Sequence, residues 1–270
     1  MMIEFFTLII IGNLVGLASS FFGIGGGVII IPALYSLYGQ LPPTTVIGCS
    51  LGVIFLSSFL NTYNFVKSGL VISKNLFLLM SLNMAIGVLT GATLSYHLPG
   101  ATIKTIFGVI LIMVAIKTIV FKYPALPDEQ ALGMTKSVMI KSSLITLFGG
   151  LVAGITGLGG GAVMVPLFLL FLKIPFYWVP AYSNLAMMSG AFIGALRFIT
   201  FPAPEQFPYL SLEPYQMGQV NWAIVLTIFL GSMMTSKIGI MLGRNASPKW
   251  SKRLFTTLLI ILAVKILIFP

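Results

Sequence analysis

Long apolar blocks are the feature that most limits how this chain can fold. Eight such blocks occur, and six of them have about the 20 residues that a helix needs to cross the hydrocarbon core of a bilayer. Charged residues make up only 7% of the chain, compared with about 25% in soluble domains. Lipid offers backbone N–H and C=O groups no hydrogen-bond partner, so blocks of this kind fold as helices. The sequence therefore predicts an all-α polytopic membrane protein.

The chain also contains two copies of one pattern. The segment "GIGGGVIIIP" at 23–32 recurs 134 positions later as "GLGGGAVMVP" at 157–166. The same offset aligns "CSL" at 49–51 with "SNL" at 183–185. Nearer the end of each copy, the block at 104–121 matches the block at 252–269. We interpret the chain as an internal duplication.

The duplication divides the chain into two repeats and a polar linker. Repeat 1 covers residues 1–122, the linker covers 123–137 and repeat 2 covers 138–270. In each repeat, one block nearly twice the length of a span precedes three single-span blocks. The predicted elements are a broken helical hairpin at 3–38 with helices at 45–66, 74–97 and 101–121, and a second hairpin at 139–172 with helices at 178–201, 220–242 and 251–269.

Loop charges predict how the long blocks cross the membrane. If each long block crosses once, the basic residues divide evenly between the two sides, and no orientation is favoured. If each block turns back at its glycines, ten basic residues share one side with the linker, and only Lys104 and Arg197 remain opposite. The positive-inside rule favours the second arrangement. The basic loops and the linker are then cytoplasmic, and both termini lie on the outer face of the membrane.

This topology inverts the second repeat relative to the first. Each repeat crosses the membrane three times, an odd number, so the two repeats enter from opposite sides. Inverted repeats with broken helices that meet near the bilayer centre are an architecture of secondary transporters.

The glycine turns predict an anion site. Non-helical backbone cannot face lipid, so the turns have to face protein or a wet cavity. The first N–H groups of each returning arm have no partner within the helix, and the helix dipole adds partial positive charge there. Anions commonly bind at such helix ends. The competing interpretation, in which the glycines only allow close helix packing, stays open at this point.

Twelve residues form the predicted substrate site. Their backbone N–H groups or uncharged polar side chains could hydrogen-bond an oxyanion. The turns contribute Gly25, Gly26, Gly27, Val28, Gly159, Gly160, Gly161 and Ala162, and the following helices contribute Cys49, Ser50, Ser183 and Asn184. For each side chain the competing role is an ordinary hydrogen bond between helices. Asn61, Thr62 and Asn64 are weaker candidates, and Arg197 and Lys237 stand out as charges near span interiors.

Other partners and chemistries are not indicated. The chain has one histidine, His97, and one cysteine, and its apolar blocks hold no carboxylate pair that could serve an enzyme as a base. We therefore expect no metal, no cofactor and no catalysis. The net charge of +10 reflects loop residues that fix membrane orientation rather than a nucleic-acid partner. The expected partners are a small anionic substrate, membrane lipid and a coupling proton, because no ATP-binding loop is present.

At these motifs the sequence resembles the TauE/SafE sulfite exporter family. The resemblance rests on both glycine motifs, on "CSL" and "SNL", and on "GVLTG" at 87–91 and "GSMMT" at 231–235. It implies transport of sulfite, sulfoacetate or related sulfonates across the cytoplasmic membrane. Cys49 stands where family members usually carry a small hydroxyl residue.

The predicted function is a secondary transporter that works by alternating access as one repeat rocks against the other. An anion channel, a permease for a different small anion, and a membrane assembly factor that transports nothing remain alternatives.

Overall fold

The computed structural model describes residues 2–69, 73–120, 135–204 and 212–246, together with some residues between 250 and 261. Nine helices are described: α1 (Met2–Phe22), α2 (Gly27–Leu37), α3 (Pro43–Lys67), α4 (Lys74–His97), α5 (Gly100–Val120), α6 (Lys136–Thr156), α7 (Gly161–Leu167), α8 (Val179–Ile199) and α9 (Trp222–Asn245). Five of them, α1, α3, α4, α6 and α9, are long and apolar enough to cross a membrane. The predicted all-α polytopic fold is confirmed.

Short elements complete the described chain. A π-helical turn at Phe168–Leu172 continues α7. A 3₁₀ turn at Glu213–Tyr215 and a two-stranded hairpin, β1 (Gln216–Met217) and β2 (Val220–Asn221), precede α9. Most of the predicted helix at 251–269 and most of the linker lie outside the described residues.

Both long blocks break at their glycines. The chain leaves helical geometry between Phe22 and Gly27, and again between Thr156 and Gly161. Six glycines in these breaks have φ between 73° and 81°: Gly23, Gly25, Gly26, Gly157, Gly159 and Gly160. Residues with a side chain rarely adopt this left-handed region, so the turns depend on glycine at these positions.

Helices α1, α3 and α9 run in one direction. Contacts step forward along both members of each pair: Gly12 with Gly231 and Gly16 with Thr235 for α1 and α9, and Cys49 with Asn221, Ser57 with Ser232 and Asn64 with Ser236 for α3 and α9. Because α1 and α3 point the same way, α2 has to bring the chain back toward the side from which α1 starts. We call these three helices the α3 bundle.

Helices α4, α6 and α8 run in the opposite direction. Their contacts also step forward in register: Gly87 with Gly150 and Gly91 with Gly154 for α4 and α6, and Met84 with Gly190 and Val88 with Gly194 for α4 and α8. We call these three helices the α8 bundle. Helices α3 and α8 are antiparallel, since Leu51 contacts Gly194 whereas Asn61 bonds to Asn184. The helices that correspond in the predicted repeats thus point in opposite directions.

The two predicted repeats are interlocked. The most extensive helix contacts are α4 with α6, α1 with α9 and α3 with α8, and each of them joins one repeat to the other. The "GVLTG" segment supplies small residues to the α4–α6 crossing, and "GSMMT" supplies them to the α1–α9 crossing. Small residues let helix backbones approach closely in a membrane. Each bundle therefore mixes helices from both repeats, and neither repeat forms a separate domain.

Large apolar side chains cover the outside of the molecule. Phe6, Leu82 and Met234 are each more than half exposed. Exposed apolar surface of this extent on spanning helices suits contact with lipid.

Candidate functional site

The two glycine turns lie against each other between the bundles. Gly27, at the start of α2, is packed on the carbonyl oxygen of Gly157, and Gly161, at the start of α7, is packed on that of Gly23. A Cβ at Gly27 or Gly161 would overlap the opposing carbonyl oxygen. Close approach of the two backbones therefore requires glycine at both positions.

Two side chains touch both turns. A Cβ on Gly25 would lie 2.6 Å from Met187 Sδ and 3.4 Å from Ile54, and one on Gly159 would lie 2.9 Å from Ile54 and 3.4 Å from Met187. Ile54 lies near the middle of α3 and Met187 lies on α8. The turns thus meet at one place, deep within the spanning helices.

Ser50 and Ser183 hold the turns in place. Ser50 Oγ donates to the Gly157 carbonyl at 2.7 Å, and Ser183 Oγ donates to the Gly23 carbonyl at 2.6 Å. Both hydroxyl protons, expected to reach an anion, are thus donated to turn carbonyls. The structure gives these serines a positioning role.

The serine bonds also correct the alignment of the repeats. Ser50 is the structural counterpart of Ser183, so pairing "CSL" with "SNL" at an offset of 134 is wrong by one residue. The segment from turn to serine is one residue shorter in the second half of the chain.

Asn184 lies beside the first turn rather than between the two turns. Its Nδ2 donates to the backbone carbonyls of Pro180 and Ser19, and its Oδ1 accepts from Asn61 Nδ2 at 3.0 Å. The Ser19 carbonyl also accepts the N–H of Gly23 at 2.9 Å. Asn184 therefore contacts the turn through Ser19.

A buried row of polar side chains leads away from that turn. Asn61 Oδ1 accepts from Ser236 Oγ at 2.5 Å, and Asn64 Nδ2 donates to Ser236 Oγ at 3.2 Å. We define the polar chain as Ser19, Asn184, Asn61, Ser236 and Asn64. All five residues are buried. The chain runs from the first glycine turn toward the C-terminal ends of α3 and α9.

Cys49 is separated from the other predicted site residues. It is fully buried, and its Sγ accepts the N–H of Asn221 in β2 at 3.2 Å. Successive residues of a helix face directions about 100° apart, so Cys49 turns toward β2 whereas Ser50 turns toward Gly157.

The N–H groups of the turns are buried without an acceptor. Within the described residues, none of these groups donates to the protein: Gly25, Gly26, Gly27, Val28, Gly159, Gly160, Gly161 and Ala162. The following residues start normal helices, since Ile30 donates to Gly26 and Met164 donates to Gly160. A buried N–H group without an acceptor costs about 1–3 kcal/mol. Eight such groups lie on the two turns that pack against each other.

Two hydroxyls of α3 share this property. Ser58 Oγ and Thr62 Oγ1 are buried and have no hydrogen-bond partner in the part of the chain that the structure describes. They lie one and two helical turns beyond Ile54 on the same face of α3. The sequence prediction missed Ser58, Ser19 and Ser236. The signal for Ser58 was available, because serines and asparagines recur along this otherwise apolar helix.

The suspected charges lie away from the turns. The Arg197 guanidinium stacks 4.5 Å from the Phe201 ring centre and donates to Thr200. Lys237 lies near the opposite membrane face, at a pocket described below. Among the described residues, no group of His, Cys, Asp and Glu side chains could hold a metal ion.

These features define a class: a multi-pass helical membrane protein whose two broken hairpins meet at its centre. The chain belongs to the TauE/SafE sulfite exporter family, since the family model described as "Sulfite exporter TauE/SafE" matches residues 8–266. The resemblance predicted from the motifs is confirmed.

Relatives with transporter names cover almost the whole chain. A "probable membrane transporter protein" of Haemophilus influenzae is 31% identical over 96% of this chain and 94% of its own length. Similar proteins of Bacillus subtilis and Methanocaldococcus jannaschii are 24% and 26% identical, over 98% and 93% of this chain and 97% and 91% of their own lengths. No solved structure matches the chain. The protein is a membrane transporter.

Proposed function

We propose that this transporter moves a small sulfur-containing oxyanion, such as sulfite, sulfoacetate or a related sulfonate, across the bacterial cytoplasmic membrane. One observation carries the proposal: eight N–H groups of the two adjoining glycine turns have no acceptor among the described residues. An oxyanion offers several strong acceptor atoms, and ionised acceptors form hydrogen bonds about twice as strong as neutral ones. The N–H groups near Gly25–Val28 and Gly159–Ala162 would replace its water shell.

Neutral donors suit a substrate that has to leave again. A buried lysine or arginine at the turns would carry a large desolvation cost when the anion departs, because an unpaired charge would remain in a low dielectric. Backbone N–H groups avoid this cost. Ser50 and Ser183 fix the turn carbonyls and so keep the N–H groups in place.

Alternating access would operate between the two bundles rather than between the two repeats. Rocking one repeat against the other would break the α1–α9 and α4–α6 contacts, which are the most extensive in the molecule. Tilting the α3 bundle against the α8 bundle keeps both contacts and shifts the α3–α8 contact, beside which the turns lie. The anion would then meet one face of the membrane at a time.

The orientation and the driving ion belong to the proposal as well. Lys67 at the end of α3, Lys136 at the start of α6 and Arg244 near the end of α9 share one face, given the helix directions. The positive-inside rule makes that face cytoplasmic. A proton gradient is the expected drive.

Flux measurements on the purified protein in liposomes test this function. We expect radiolabelled sulfite to enter saturably, to respond to an imposed proton gradient and to exchange against unlabelled sulfite inside. Competition by sulfate, thiosulfate and sulfoacetate ranks the substrates. Unsaturable flux without counter-exchange would indicate an anion channel. Absence of flux for every anion would refute the transport proposal.

A further inference from the structure

A cationic pocket lies at the C-terminal ends of α3 and α9. Its cavity has a volume of about 290 Å³. Its lining includes Asn64 and three cations, Lys67, Lys237 and Arg244. A water molecule occupies about 30 Å³ in the liquid, so the pocket has room for a small anion with part of its hydration shell.

The three cations of this pocket lack a neutralising carboxylate among the described residues. The chain has five acidic residues. Glu4 and Glu213 belong to the other membrane face, since they lie at the start of α1 and just before α9, whereas the pocket lies where α9 ends. The remaining three are outside the described residues. The Lys67 ammonium lies 4.6 Å from the Tyr63 ring centre, which leaves its charge in place.

The pocket wall includes the outer end of the polar chain. Asn64 is only 7% exposed, lines the cavity and bonds inward to Ser236. From Ser236 the polar chain continues through Asn61 to Ser19 and the first glycine turn. The polar chain therefore joins the pocket wall to the first glycine turn.

We propose that this pocket is a vestibular binding site, in which Lys67, Lys237 and Arg244 capture the small oxyanion before it moves to the glycine turns. The inference rests on the proposed anion transport and adds a second site to it. Exposed cations concentrate anions and raise their rate of entry in a salt-dependent manner. They also leave the anion partly hydrated, so that it can move on.

Sided transport of sulfite tests the vestibule. In phosphatidylcholine liposomes, the double variant Lys237→Gln/Arg244→Gln is expected to raise the KM for sulfite offered at the basic face. A cation about 6 Å from the anion in a water-like dielectric contributes roughly threefold, so the pair contributes about tenfold at low salt. The effect shrinks as ionic strength rises. Trypsin, which cleaves after lysine and arginine, identifies the vesicles whose basic face is outward.

Matched charge removals at the other face provide the control. Lys104 and Arg197 are stacked on aromatic rings there, at 4.7 and 4.5 Å from the ring centres. We expect Lys104→Gln/Arg197→Gln to leave the KM at the basic face unchanged. An equal rise in KM for both double variants would show a general charge effect and overturn the vestibule. The same conclusion follows if the KM of Lys237→Gln/Arg244→Gln rises only in vesicles with phosphatidylglycerol, because the pocket would then hold a lipid headgroup.

A binding measurement separates the vestibule from the transport function. In detergent at constant ionic strength, sulfite is expected to raise the Tm of the wild type more than that of Lys237→Gln/Arg244→Gln. If this difference appears but sulfite is never transported, the pocket stands as an anion-binding site and the proposed function fails. If sulfite is transported but neither the Tm difference nor the KM effect appears, the vestibule alone is refuted.

Discussion

Two helix interfaces flank the glycine turns, and they differ in chemistry although their helices correspond in the two halves of the chain. In the α3 bundle, Ser57 bonds to Ser232, and Asn61 and Asn64 bond to Ser236. In the α8 bundle, α8 presents glycines to Met84 and Val88 of α4. Because Ser50 corresponds to Ser183, the equivalent of Ser57 in the second half of the chain is Gly190, and the equivalent of Asn61 is Gly194. The first interface has several side-chain hydrogen bonds, whereas the second is mainly close apolar packing with one long hydrogen bond, from Ser189 Oγ to the Ser81 carbonyl at 3.5 Å.

The two halves of the chain share the geometry of the turns but differ in the side chains that flank them. The turns, their positive φ values and the serine bonds occur in both halves. The polar chain occurs only beside α3 within the described residues, and it leads to the cationic pocket. We infer that the shared centre binds the anion and that the differing flanks decide how each membrane face reaches it.

The largest expected effect comes from substitutions in the shared centre. Gly25→Ala and Gly159→Ala force a side chain into φ +81°, which costs about 1–2 kcal/mol in the left-handed region. The added methyl also pushes on Met187 and Ile54 and displaces the neighbouring N–H groups. We expect each variant to lose roughly tenfold or more of its sulfite flux, as sub-ångström misplacement does elsewhere.

Gly69→Ala is the matched control for these substitutions. Gly69 has φ +96° and no atom within 4 Å of an added Cβ. Alanine there introduces backbone strain of the same kind at a position outside the glycine turns. Its flux per inserted molecule should remain near that of the wild type. Equal losses at positions 25, 69 and 159 would assign the effect to backbone strain and remove the support for a site at the turns.

The next effect concerns the side-chain hydrogen bonds of Asn61, which have no counterpart at the equivalent residue Gly194. Asn61→Ala deletes three side-chain bonds, to Ser19, Asn184 and Ser236. At about 0.6 kcal/mol for an interhelical bond in a membrane protein, the loss is about 2 kcal/mol of unfolding free energy. A lower Tm in detergent and a lower flux are the expected results.

Alanine at Gly194, the position of α8 that corresponds to Asn61, should destabilise the protein by adding a methyl group rather than by removing hydrogen bonds. A Cβ on Gly194 would lie 2.6 Å from Val88 Cγ1 and 2.8 Å from Leu51 Cδ1, so Gly194→Ala overpacks the interface by about 1–3 kcal/mol. The second substitution Val88→Ala should restore stability to Gly194→Ala but not to Asn61→Ala. Rescue of both variants by Val88→Ala would contradict the chemical difference between the interfaces.

Local sequence patterns were enough to predict the turns but not their surroundings. Glycine runs inside apolar blocks indicate turns because few other residues adopt positive φ. The distribution of loop charges then predicted that the chain turns back at these glycines. The helix against which each helix packs could not be predicted, because "GVLTG" and "GSMMT" indicate that another helix approaches closely but not which one. The roles of Ser50 and Ser183 also depend on carbonyls more than 100 residues away. Cys49 was assigned to the site because adjacency in sequence was mistaken for a shared helix face.

The smallest effect tests whether the centre is symmetric. Ser50→Ala and Ser183→Ala each remove one hydrogen bond to a turn carbonyl, at a cost of about 1 kcal/mol. Because the two bonds correspond, both variants should lower the Tm equally and raise the KM for sulfite by a similar few-fold factor. Ser36→Ala is the control, since Ser36 bonds only to the Pro32 carbonyl of its own helix. A rise in KM for one serine variant alone would show that a single turn binds the anion: the second turn if the variant is Ser50→Ala, and the first turn if it is Ser183→Ala.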